Sequence, residues 1–266
     1  MKSASLLVLC LFYGIILSAQ SVHYGDNPVA GRYYDVRGIK IYTEEYGSGK
    51  PLLLLHGNGG SISSMAPLIT YFSGEYRTIA MDSRAHGKST DHGDSLSFEM
   101  MADDVAALLD RMKIDSAYII GWSDGGIIAL ETAMRHPGKV IKLASTGANL
   151  WPDSTALEPS AWKDEKTYFA SHENRPRITA GQKNDWKIFM LDWTQPNISL
   201  ASLKEIRTPS LIICGDHDLI RIEHTVQIFR NIRGAELWVL PDSGHGTFIK
   251  YPAEFYETVN RFFRSR

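Results

Sequence analysis

Gly121-Trp122-Ser123-Asp124-Gly125-Gly126 is the stretch whose reading decides the fold. It follows an apolar, β-branched run, Ala117-Tyr118-Ile119-Ile120, and opens a helical run from Ile127 to Arg135. In that setting G-x-S-x-G reads as strand, sharp turn and helix, with Ser123 raised at the turn as a candidate nucleophile. Small residues are needed because a serine at such a turn is strained, and a side chain at Gly121 or Gly125 would strike the neighbouring strand and helix. The helix start also leaves backbone N–H groups without intrahelical partners, so the N–H of Asp124 is a candidate donor to a developing oxyanion. A tight turn with an incidental serine is the competing reading of the motif taken alone.

Outward from this turn, strand and helix alternate. Arg32 to Tyr46 reads as a hairpin around Arg37-Gly38. Pro51 to Leu55, Arg77 to Met81, Ala117 to Ile120, Val140 to Ala144, Ser210 to Cys214 and Leu237 to Leu240 read as short buried strands. Helical patterns fall between them at Met65 to Phe72, Phe98 to Met112, Ile127 to Arg135, Glu223 to Ile232 and Pro252 to Phe263. The alternation predicts an α/β fold, a mostly parallel sheet covered by helices on both faces.

From 147 to 207 the alternation stops and aromatics become dense, with Trp151, Trp162, Trp186 and Trp193 in one segment. Trp186, Phe189, Met190 and Trp193 recur at helical spacing, so the segment reads as a small helical cap inserted over one edge of the sheet. Residues 20–146 and 208–266 then form the core. Trp151 and Trp186 are candidate substrate contacts, and packing of the cap onto the core is the alternative for all these aromatics.

A serine hydroxyl is a weak nucleophile near neutral pH, so a base and a group to orient it are required. His245, in Ser243-Gly244-His245-Gly246 after the last strand, is the candidate base; a structural histidine is the alternative. Asp218 and Asp216 both follow the strand ending at Cys214, and a carboxylate there could hold the imidazole tautomer and stabilise the imidazolium. The order Ser123, Asp218, His245 is that of a strand-turn-helix hydrolase. His56-Gly57-Asn58-Gly59-Gly60 follows the leucine strand and offers the N–H of Asn58 as a second oxyanion donor. No G-x-x-x-x-G-K-[ST] or G-x-G-x-x-G pattern supports a nucleotide loop, and no H-E-x-x-H or C-x-x-C pattern supports a metal, so neither metal nor cofactor is expected.

The chain has 266 residues, 44% of them hydrophobic and 22% charged, enough for one large globular domain. Lys plus Arg number 28 against 30 Asp plus Glu, without a basic block, which disfavours nucleic acid and points to a small-molecule partner. Met1-Lys2-Ser3, the apolar run Leu6 to Leu17 and Ser18-Ala19-Gln20 read as a signal peptide, residues 1–19, cleaved after Ala19. An uncleaved anchor is the alternative; cleavage implies a secreted or periplasmic protein with no stable membrane anchor. It would also remove Cys10 and leave Cys214 as the only cysteine, with no intramolecular disulfide.

Together these segments resemble the α/β-hydrolase superfamily over about residues 32 to 265, with Asp82-Ser83-Arg84-Ala85-His86-Gly87-Lys88-Ser89 similar to its D-x-R-G-x-G-x-S turn. Ala85 stands where glycine is usual. The resemblance implies eight strands, one of them antiparallel, and its Gly215-x-x-Asp218 spacing favours Asp218 over Asp216. Gly121 to Gly126 and Gly147-Ala148-Asn149 resemble the biphenyl-hydrolase-like, or valacyclovirase, branch. There the acid after the nucleophile recognises the α-amino group of amino-acid esters, which would carry over to Asp124. A carboxylate so near an oxyanion opposes catalysis unless it points away, is screened or meets a cation. Favourable placement at a helix N-terminus is the alternative for Asp124. The expectation is a serine hydrolase of a small ester, in which aspartate-nucleophile relatives are disfavoured. Lactonase, amidase, carbon-carbon hydrolase and perhydrolase chemistry stay open, as does a non-catalytic binding protein of the same fold.

Overall fold

In a computed structural model of the protein the described residues are 23–265; residues 1–19, read above as a signal peptide, and Cys10 within them lie outside this range. Eight strands form one sheet: β1 (Gly31–Val36), β2 (Ile39–Tyr46), β3 (Lys50–Leu55), β4 (Tyr76–Met81), β5 (Ala117–Trp122), β6 (Val140–Thr146), β7 (Ser210–Gly215) and β8 (Glu236–Leu240). Their order is β1-β2-β4-β3-β5-β6-β7-β8. Only β2 runs against its neighbours β1 and β4; the other pairings are parallel.

The leucine run shows why the sheet is buried on both faces. Leu53 and Leu55 join one apolar cluster and Leu52 and Leu54 the other, and all four are fully buried. Successive strand side chains point to opposite faces, so an unbroken apolar run needs cover on both. Helices α2 (Phe98–Arg111) and α3 (Asp124–Arg135) cover the first face, while α1 (Ala66–Phe72) and α9 (Pro252–Arg264) cover the second. Each leucine so placed contributes about 1.5 to 3 kcal/mol. Ser97 begins α2 by accepting the N–H of Met100 at 3.1 Å.

Between β6 and β7 the described chain forms no strand. It forms α4 (Pro159–His172), α5 (Ala180–Thr194) and the short α6 (Leu200–Leu203). No residue of α4 is fully buried, and the hairpin of α4 on α5 is held by stacked rings instead. Trp193 stacks on Trp162 at 5.4 Å and on Phe169 at 4.5 Å between centroids. After β7 come α7 (Ile222–Asn231) and, beyond β8, α8 (Thr247–Lys250). No helix among the described residues is long and apolar enough to cross a membrane.

Candidate active site

Ser123 sits between β5 and α3 at φ 57° and ψ −120°, left-handed for a residue with a side chain. Such backbone costs about 1 to 3 kcal/mol and persists only where its surroundings enforce it. Here they do. A Cβ on Gly121 would lie 2.0 Å from the carbonyl oxygen of Gly125, and one on Gly125 would lie 2.1 Å from that of Leu55. The Ser123 N–H donates to the carbonyl of Thr146 at 2.8 Å, and its own carbonyl accepts the N–H of Gly126 at 2.8 Å. The turn is thus pinned to β6 and α3, with Ser123 half-buried at the carboxyl edge of the sheet.

His245 follows β8 and Asp218 follows β7. Nδ1–H of His245 donates to Oδ1 of Asp218 at 2.6 Å, which fixes the tautomer and leaves Nε2 as the acceptor. Asp218 is 5% exposed, and the same Oδ1 accepts the N–H of Ile220 at 3.1 Å. Asp216 does different work. Its Oδ1 accepts the N–H of Ser243 at 3.0 Å, tying the two loops together, and backbone donors hold its carboxyl below the ordinary carboxylate value.

Two further residues hold the imidazole. The indole N–H of Trp122 donates to the carbonyl of His245 at 2.9 Å, and its ring lies 5.7 Å from the imidazole. Gly147, at φ +68°, passes so close that a Cβ there would stand 2.7 Å from Cε1 of His245. Neither contact was visible in the sequence, where Trp122 is the variable letter of the motif; the resemblance singled out Gly147 without saying what it touches.

The loop after β3 returns against this turn, since a Cβ on Gly57 would lie 3.0 Å from that of Ser123. His56 locks the loop. Its Nδ1–H donates to the carbonyl of Gly57 at 2.7 Å and its Nε2 accepts the N–H of Ser83 at 3.0 Å. Burial holds this imidazole neutral, with its pKa pushed down to about 4. Among the described residues no hydrogen bond occupies the N–H of Asn58 or of Asp124. Their side chains are joined: Nδ2 of Asn58 donates to Oδ2 of Asp124 at 3.0 Å and to the carbonyl of Ile188 in α5 at 3.1 Å.

Asp124 is 4% exposed and meets a second carboxyl, that of Asp192 on α5, within hydrogen-bonding reach. Burial raises Asp124, and burial with the charge of Asp124 raises Asp192 well above the ordinary value. Glu165 on α4 is raised by burial and by the same neighbour. The carboxylate after Ser123 therefore meets a protonatable partner rather than a protein cation. That partner lies in the cap, where no motif marks it.

Trp151 and Trp186 pack the cap rather than line the cavity beside Asn58. Trp151 stands edge-on to His224 at 4.6 Å and its indole N–H is spent on Oγ1 of Thr155 at 2.7 Å. Trp186 stacks on Phe169, with the guanidinium of Arg177 at 3.7 Å from its ring. It faces a groove of about 1160 Å³ between α5 and residues 91–97, whose lining includes none of Ser123, Asp218 and His245. Trp186 thus helps hold α4 on α5 without a buried core, whereas Trp151 packs against α7. Ala85, which replaces the usual glycine, adopts φ +66°, so the turn keeps its left-handed shape and bears the methyl as strain.

A family model described as alpha/beta hydrolase fold matches residues 50–169. Mouse (Mus musculus) serine hydrolase BPHL is 26% identical over 244 residues, covering 85% of this chain and 84% of its own. A 2-hydroxymuconate semialdehyde hydrolase of a Pseudomonas species is 25% identical, covering 89% and 95% respectively. Among solved structures, the N-acyl homoserine lactone degrading enzyme Est816 superposes with a TM-score of 0.73 at 28% identity, covering 87% of this chain and 100% of that one. Sheet order, turn geometry and these matches show that the chain has the α/β-hydrolase fold. Among curated proteins it is similar to BPHL.

Proposed function

We propose that this hydrolase cleaves small carboxylic esters, α-aminoacyl esters among them, through an acyl-enzyme on Ser123. The observation that carries the reading is the 2.6 Å bond from His245 to Asp218, set beside a strained serine turn. Ser123 attacks the ester carbonyl as Nε2 of His245 takes its proton. Asp218 stays ionised, holding the ring in place and stabilising the imidazolium. The N–H groups of Asn58 and Asp124 receive the oxyanion. His245 then protonates the leaving alcohol and activates the water that frees the acid. The substrate's ammonium group meets the carboxylate of Asp124.

Labelling by a fluorophosphonate tests the nucleophile, because only an activated serine reacts. Ser123→Ala should abolish both labelling and turnover while the protein stays folded; a folded variant with wild-type turnover sinks the mechanism. Asp124→Asn should raise the barrier for free-amino esters by about 1 to 3 kcal/mol and spare matched des-amino esters. The same catalytic set could open a lactone or cut a carbon-carbon bond; since Est816 is described as degrading an N-acyl homoserine lactone and the Pseudomonas relative as a semialdehyde hydrolase, a lactone and a semialdehyde belong in the panel. We further propose that the enzyme works outside the cytoplasm, on the strength of residues 1–19.

A further inference from the structure

A cavity of about 460 Å³ lies between the Asn58-Gly59-Gly60 loop, the turn at His86 and cap helices α4 and α5. Glu165, Asp185 and Asp192 line it, and no lysine or arginine does. Asp124 lies against this wall through Asn58 and Asp192. Amide donors nearby are engaged by the protein: both N–H groups of Asn58 by Asp124 and Ile188, and one of Asn184 by the carbonyl of Ala85 at 2.8 Å. Acceptors are left over. His86 is 3% exposed and gives its Nδ1–H to the carbonyl of Arg84 at 2.8 Å, so its Nε2 carries a lone pair, and among the described residues nothing donates to it. The Oε2 of Glu165 is likewise buried without a partner there.

Buried acceptors in surplus fit a ligand that arrives with donors and positive charge. A primary ammonium group brings three N–H bonds and one charge. Two carboxyls in contact cannot both ionise cheaply, so Asp124 and Asp192 share one proton when no cation is present. The groups facing the pair are His86 and His245 towards Asp124 and Glu165 towards Asp192. Asp164 acts on Glu165.

We propose that Asp192 and Glu165, both on the cap, complete a primary-ammonium site with Asp124 and His86, and that the amine binds as the proton shared by Asp124 and Asp192 leaves for solvent. The inference rests on the amino-ester reading above. The exchange balances: the substrate enters as an ammonium, one carboxyl ionises and its proton goes to water. With no amine present, the retained proton also spares the oxyanion at the Asp124 N–H a second nearby negative charge. Cap and core then select the substrate together, because Asp124 lies on α3 and its partners lie on α4 and α5.

The test is the ratio of kcat/KM for a glycine ester to that for its des-amino counterpart, between about pH 5 and about pH 7, where an α-amino group stays charged. In the wild type the ratio should rise with pH, by up to about tenfold per unit where the pair titrates. Asp192→Asn supplies an amide N–H in place of the shared proton, holding Asp124 ionised, so the ratio should become flat with pH. Glu165→Gln should lower the ratio severalfold at every pH while keeping the slope. Circular dichroism checks that each variant is folded; if Asp192→Asn is not, Glu165→Gln decides, and an unchanged ratio overturns the proposal. A wild-type ratio near one throughout removes the amino-ester reading and this inference with it. A clear wild-type preference that both variants leave unaltered in size and slope keeps that reading and overturns the cap's part.

Discussion

Gly147→Ala separates the cost of a lost catalytic geometry from the cost of a damaged fold. The new Cβ would stand 2.7 Å from Cε1 and 2.9 Å from Nδ1 of His245. Carbon atoms rest at about 3.5 to 4.0 Å, so the ring must retreat by about 1 Å. The backbone cannot take up that movement, because the Gly147 N–H is bonded to the carbonyl of Ile213 at 3.0 Å between β6 and β7. The retreat therefore falls on the 2.6 Å bond to Asp218, and so on the alignment with Ser123 that the proposed mechanism requires of Nε2. A misplacement of that size costs about a hundredfold in rate, equivalent to about 2.7 kcal/mol of barrier. Stability should fall by less. Left-handed backbone at φ +68° costs alanine about 1 to 2 kcal/mol. The smaller entropy of the unfolded alanine chain returns about 0.4 to 1 kcal/mol. The net loss of about 1 kcal/mol corresponds to about 2 to 4 °C in Tm. Steady-state turnover of an activated ester, the rate of fluorophosphonate labelling and a thermal melt read the two costs separately. A folded Gly147→Ala enzyme with kcat/KM within about twofold of wild type would refute the placement of His245 as the base.

Asp218→Asn should reduce turnover by about a thousandfold or more, whereas Asp216→Asn should act mainly through loop stability; the reverse pattern in kcat/KM would reassign the acid. His56 and His224 are buried and held neutral, each pushed down to about 4 from an ordinary 6.5. The unfolded chain takes up those protons below about 6.5 and the folded chain only near 4, so each contribution is complete above 6.5 and is lost as pH falls towards 4. It amounts to about 3 kcal/mol per residue on simple linkage. Buried carboxyls such as Glu131, raised to about 7, act with the opposite sign, so the direct measurement is the imidazole NMR titration. Protonation of either ring near its ordinary pKa in the folded protein would contradict the burial argument. If the proposed export holds, the mature protein should begin near Gln20, and intact peptides carrying Met1 or Lys2 dominating its mass spectrum would refute cleavage.

The elements of the fold were legible because each is a local pattern. Four leucines in a row need a sheet covered on both faces, and Ile127 to Arg135 needs a helix, whatever lies elsewhere in the chain. The turn at Ser123 was legible for the same reason, since the strain at one residue and the collisions at Gly121 and Gly125 are settled within a few positions. Element ends were less so. The helix read from Met65 begins as a tighter turn at Ile62, and the helix read from Ile127 starts at Asp124.

The partners of the site were not legible from periodicity, because they are contacts across long stretches of chain. His245 meets Asp218 across 27 positions, and Asn58 reaches Ile188 across 130. Family spacing favoured the carboxyl at 218 over the one at 216, but only the folded loops show the latter turned to the Ser243 N–H. The sequence by itself determined the layered sheet, the strained serine turn and the set of candidate side chains. Tertiary structure alone decided that Trp122 and Gly147 hold the imidazole, that Trp186 packs within the cap while Trp151 packs against His224, and that the carboxyl of Asp192 lies beside that of Asp124. Local backbone sterics act over a few residues and leave a periodic trace in sequence. A buried carboxyl's charge state depends on what the fold brings within a few ångströms of it, and no neighbouring letter records that.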